Sequence, residues 1–140
     1  MAIYTEKTPG AQAEQSFLPV AKGNGVTTGI TYTSRSGGFV IDANNICRGW
    51  GKMVLSSKGA QTGAFTIDLP LAVKSGAVGQ VVIGARTKIV ATKQLTAKLA
   101  GGSNSIVFAD ALLDGTASTT TKIADLSDDS SVEFTFAFPL

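Results

Sequence analysis

Val132-Glu133-Phe134-Thr135-Phe136-Ala137-Phe138 (VEFTFAF, residues 132–138) sends one valine and three phenylalanines to one side and Glu133, Thr135 and Ala137 to the other. A period of two is the signature of a strand with one buried face. The row Phe134, Phe136 and Phe138 needs a deep apolar layer, so it belongs either to a core or to a subunit interface.

Working back from that strand, the chain reads as short strands separated by turn residues. Ser105 to Leu113 is an apolar run bounded by Gly101-Gly102 and Asp114-Gly115. Gln94 to Ala100, Lys88 to Ala91 and Gln80 to Gly84 precede it at sandwich spacing. Phe65, Ile67 and Leu69 alternate with Thr66 and Asp68 until Pro70, which lacks the N–H that a central ladder needs. Ile46 to Leu55 follows an Asn44-Asn45 turn, Phe39-Val40-Ile41 follows a Ser36-Gly37-Gly38 turn, and Ile30 with Tyr32 opens the series. Beyond a turn at Ala124 to Asp129 there is no helical pattern. The fold class expected is all-β, an antiparallel β-sandwich or jelly roll over residues 26–140.

Composition agrees. Charged residues are 16% of the 140, while 16 Thr, 12 Ser and 16 Gly supply the polar and turn positions. Threonine favours strands and glycine favours tight turns. Gly49 and Gly51 flank Trp50, and glycines inside a strand mark close approach of another segment, so Trp50 is expected to be buried by packing.

Residues 1–25 carry Pro9, Pro19, Gly10, Gly23 and Gly25 with no sustained period. They read as an extended N-terminal arm. Its apolar side chains Ile3, Tyr4, Phe17, Leu18 and Val20 would be wasted on a solvated tail, which makes them candidate anchors on a partner.

Chemistry is scarce. With no histidine, the usual base near neutral pH and the commonest zinc ligand are missing. Cys47 stands alone, which excludes an intramolecular disulfide or a CxxC pair and favours a buried, inert thiol. Gly23 to Gly29 opens no helix and lacks the lysine of a phosphate loop. Asp125, Asp128 and Asp129 lack EF-hand spacing and read as a capped turn among serines. Lys52, Lys58, Lys88, Lys93 and Lys98 are scattered without interleaved aromatics, unlike a nucleic-acid groove. No apolar run approaches a membrane span, and the N-terminal MAIYTEKTPG lacks the basic-then-apolar layout expected of a signal peptide. No catalytic residue, cofactor site, metal site or small-molecule substrate is expected.

The segment TYTSRSGGFVIDANNICRGWGKMVLSSKGAQTGAFTIDLP (residues 31–70) resembles the β-sandwich domains of tailed-bacteriophage fibre, spike and head-decoration proteins. It carries a Tyr-Thr pair, a Gly-aromatic pair and a closure formed by Gly59, Gly63, Ile67, Leu69 and Pro70. Ile123 to Ser127 followed by the final strand is similar to the last loop and strand of those domains. The resemblance implies a tumour-necrosis-factor-like or jelly-roll homotrimer and a structural role. The expected function is a capsid decoration or cement protein, made in the host cytoplasm, carried on the capsid surface and bound to the major capsid protein. The alternative is a tail fibre or spike knob that recognises a host surface molecule through Ser34 to Gly38, Gly101 to Ser105 or Thr116 to Thr121. Trp50, Tyr4 and Tyr32 are too dispersed in sequence to compose a sugar platform.

Overall fold

Alternating burial along the chain produces ten strands in the computed structural model, which describes residues 13–91, 94–111 and 119–140. The strands are β1 (Gln15–Phe17), β2 (Val20–Gly23), β3 (Thr31–Ile41), β4 (Ile46–Ser57), β5 (Phe65–Asp68), β6 (Val78–Ile89), β7 (Gln94–Ala100), β8 (Ser105–Ala111), β9 (Thr119–Thr120) and β10 (Leu126–Pro139). A 3-10 turn, Ile123–Asp125, precedes β10.

Among the described residues every pairing is antiparallel. The hydrogen-bonded order is β1-β3-β4-β10-β6-β7-β8-β5-β2, with β9 added to β8. β6 and β7 are joined only by Val78 opposite Ala100 and Gly79 opposite Leu99. The path therefore divides there into a first sheet, β1-β3-β4-β10-β6, and a second sheet, β7-β8-β5-β2. Their inner faces supply one core, with Phe134, Phe138, Met53 and Leu55 from the first sheet and Phe65, Ile67, Leu99, Ile106 and Phe108 from the second. Phe65 and Phe108 stack with ring centroids 5.0 Å apart. The molecule is an all-β antiparallel sandwich. Phe134, Phe136 and Phe138 lie in its core, exposed by 1%, 4% and 1%.

Two expectations need correction here. Ser36-Gly37-Gly38 is no turn, because β3 runs through it and pairs along its length with β4. Gln80 to Ala91 is not two strands up to Gly84 and from Lys88, since β6 continues from Val78 to Ile89 with register shifts against β10. Among the described residues of the segment read as an arm, strand pairing is present from Gln15. β1 adds to β3 and β2 adds to β5. β3 side chains hold this stretch as well: the Ala21 N–H in β2 donates to the Tyr32 hydroxyl at 2.8 Å, and Arg35 Nη1 donates to the Pro19 carbonyl between β1 and β2 at 3.1 Å. Burial of Phe17 supplies the driving force, since apolar area removed from water is worth about 25 cal/mol per Å².

Candidate functional site

Cross-strand register explains how the first sheet presents two different faces. On its inner side, Phe17, Gly37, Gly51 and Phe134 form one row across β1, β3, β4 and β10. Phe39, Gly49 and Phe136 form the next. A Cβ at Gly51 would stand 2.5 Å from Phe134 Cζ, and one at Gly49 would stand 2.5 Å from Phe136 Cζ. The rings thus lie directly on glycine backbone. Phe17 closes the layer edge-on against Phe39 at 6.1 Å and Phe136 at 5.9 Å between centroids.

Because strand residues alternate, Trp50 between those glycines must point the opposite way. It lies on the outer face and is 40% exposed, so the expectation of a buried tryptophan is overturned. Its own row is Gly38, Trp50, Thr135 and Val82, and the adjacent row is Val40, Arg48, Ala137 and Gln80. Gly38 has a specific function here. A Cβ on it would collide with the Glu14 carboxylate and stand 3.0 Å from Trp50 Nε1, so the missing side chain leaves room for the carboxylate on the same side of the sheet as Trp50 Nε1.

Two clefts flank the ridge made by Arg48 and Trp50. One, of about 140 Å³, is lined by Glu14, Gly38, Phe39, Val40, Arg48, Gly49 and Trp50. The other, of about 290 Å³, is lined by Arg48, Gly49, Gln80, Val82, Thr135, Phe136 and Ala137. Arg48 is aimed by Asp42, whose Oδ2 accepts from Nε at 3.3 Å. The Ile46 backbone N–H, with lesser help from the Asn44 N–H and from Arg48, holds the Asp42 carboxyl below the usual carboxylate range. The outer face thus combines an exposed ring, a carboxylate, a guanidinium, an amide and a hydroxyl. These groups can stack, donate and accept hydrogen bonds.

The expected arm anchors that the structure describes, Phe17, Leu18 and Val20, take different environments. Ile3 and Tyr4 lie outside the described residues. Phe17 faces the core, Val20 is half-buried in β2, and Leu18 between them is 57% exposed. Of the loops expected to meet a receptor, Ser34 to Gly38 is strand, Gly101 to Ser105 includes the turn before β8, and residues 116–118 lie outside the described residues.

Cys47 is buried, and burial pushes its thiol up to about 11. Asp125 accepts from the Lys122 N–H at 2.8 Å, Asp128 accepts from the Lys58 N–H at 3.0 Å, and Asp129 pairs with Lys88. Asp125 caps the short 3-10 turn, but Asp128 and Asp129 stand in β10 and reach across to Lys58 and Lys88, so the expectation of one capped turn holding all three aspartates is corrected. Asp68 pairs with Lys22 at 2.5 Å and accepts from the Ser105 hydroxyl at 2.6 Å, tying β2 and β8 to β5.

The fold resembles part of a tailspike. The crystal structure of the Dettilon tailspike protein (gp208) superposes with a TM-score of 0.67 at 17% sequence identity. The likeness covers 91% of this chain and 23% of the tailspike chain, so this chain spans less than a quarter of that protein's length. At this identity the likeness shows a shared fold. No family model and no curated protein matches the chain.

Proposed function

We propose that the chain is a non-enzymatic structural protein of a tailed-phage virion that works by surface contact. The observation supporting this reading is the tailspike-like fold over 91% of the chain. It weights the placement toward the tail, where the sandwich presents its outer face to a host surface molecule. Rigid strands suit that task, because side chains fixed by a ladder hold their geometry better than side chains on loops.

Head decoration is the second reading: a homotrimer seated on the major capsid protein at the capsid surface. The exposed apolar side chains Leu18, Val78 and Val90, which the sandwich leaves out of its own core, favour it. Closed symmetry would let one small chain touch several capsid subunits, so that weak contacts add through effective concentration. Neither reading includes a cofactor, nucleic acid or membrane.

Immunogold labelling of purified virions tests both. Gold confined to the tail is the expected result. Gold spaced regularly over the head would replace the tail reading with decoration, and virions free of label would overturn the virion assignment itself.

A further inference from the structure

We propose that the outer face of the first sheet around Trp50 is a binding site for a neutral saccharide. The inference rests on the attachment reading for its biological setting, but its chemistry is carried by the face alone.

A pyranose ring has a C–H face that packs on an aromatic ring and a rim of hydroxyls that both donate and accept hydrogen bonds. Trp50, 40% exposed and flanked in its row by Gly38 and Thr135, offers such a ring with small neighbours on both sides. Around it the chain supplies the matching rim. Glu14 is an acceptor, Arg48 a fork of donors, Gln80 both, and Thr135 a rotatable hydroxyl. The two clefts, about 140 and 290 Å³, share Arg48, so successive sugar units can lie on either side of the Arg48-Trp50 ridge.

Two further features point to this ligand class. Gly38 has no space for a side chain because the Glu14 carboxylate occupies it, which puts the carboxylate on the same side of the sheet as Trp50 Nε1. Charge selects a neutral sugar over an acidic one: Arg48 is already countered by Asp42, and Glu14 adds a negative group. A phosphate-rich polymer would meet no uncompensated cation among these residues. The separation of Trp50 from Tyr32 in the fold does not count against the site, since polar side chains rather than a second ring complete it.

The test is a titration of the full chain with a panel of neutral glucose-, galactose- and mannose-based oligosaccharides and bacterial surface polysaccharides. Isothermal titration calorimetry provides the readout for the native chain and every variant, and the fluorescence of Trp50, the single tryptophan of the sequence, is a second signal in the forms that retain it. Heparin and single-stranded DNA serve as acidic controls. The expected result is a saturable change with at least one neutral glycan, weakened about ten-fold in Trp50→Ala, the scale of one lost aromatic contact, with partial recovery in Trp50→Phe. Gln80→Ala, an exposed change that leaves the indole intact, is expected to weaken binding several-fold while circular dichroism stays native. Silence across the neutral panel, undiminished binding by Trp50→Ala, preference for the acidic controls, or shielding of Trp50 by self-association alone would each overturn the proposal. None of these outcomes depends on where the protein sits on the virion, so the site can fail while the virion reading stands, and the reverse.

Discussion

The two faces of the first sheet are made by the same strands from alternate residues, yet they solve opposite problems. Inside, Phe134 and Phe136 are laid on Gly51 and Gly49, and nothing polar intervenes. Outside, one residue away along β4, Trp50 and Arg48 stand among hydroxyl, amide and carboxylate groups. Stability is concentrated on one side of the backbone, which leaves the other free to carry polar groups that a core would reject. Glycine serves both sides: at Gly49 it admits a ring from within, and at Gly38 it admits a carboxylate from without.

The sharpest way to break this comparison is to truncate one aromatic on each face. Phe134→Ala is expected to cost about 3–5 kcal/mol in urea unfolding, whereas Trp50→Ala should stay within about 1 kcal/mol. Equal losses would mean that the faces are not functionally separate. A smaller effect comes from adding a methyl group. Gly49→Ala places a Cβ 2.5 Å from both the Gly38 carbonyl oxygen and Phe136 Cζ, and should cost about 1–3 kcal/mol. Gly84→Ala, where the nearest atom is 3.7 Å away, should stay within about 0.5 kcal/mol.

Adjacent residues in the N-terminal segment sharpen the comparison further. Phe17→Ser should destabilise by about 1–2 kcal/mol because the ring is half-buried against Phe39 and Phe136. Leu18→Ser, an exposed position, should leave the unfolding midpoint unchanged and affect only contacts with a partner.

Cys47 gives the most modest signal. Its thiol pKa rises from 9.0 to about 11 on folding, so the native state holds the proton that the unfolded chain releases. Its contribution is therefore complete below pH 9.0 and is lost as pH climbs toward about 11. Alkylation at pH 8 should proceed only in denaturant, and rapid labelling of the native protein would contradict its burial.

Sequence logic reached the inner face more easily than the outer one, and the reason is range. VEFTFAF announces its own period because that pattern is local, whereas the serine-flanked aspartates have turn composition although Asp128 and Asp129 stand in β10. That β10 inserts between β4 and β6 is a long-range fact with no local trace. Ser36-Gly37-Gly38 has turn composition, but its glycines answer to Phe17 and Glu14, some twenty positions upstream. Phe17 likewise resembles an arm anchor until Gly37 is seen to make room for its ring. For Trp50 the signal was present: alternation along β4 sets it opposite Gly49 and Gly51, so room beside those glycines could never have been room for the indole. What the sequence does not carry is the gathering of Glu14, Arg48, Gln80 and Thr135 around it, which four separate strands or flanks bring together.

The central claim is that the Trp50 face remains open to solvent in the assembled protein. Acrylamide quenching of native tryptophan fluorescence tests it most directly, since the chain has one tryptophan. The account predicts ready quenching of native emission at every protein concentration, approaching that of the unfolded chain. Native emission shielded from acrylamide would contradict it, because the indole would then be buried against the core or against another copy.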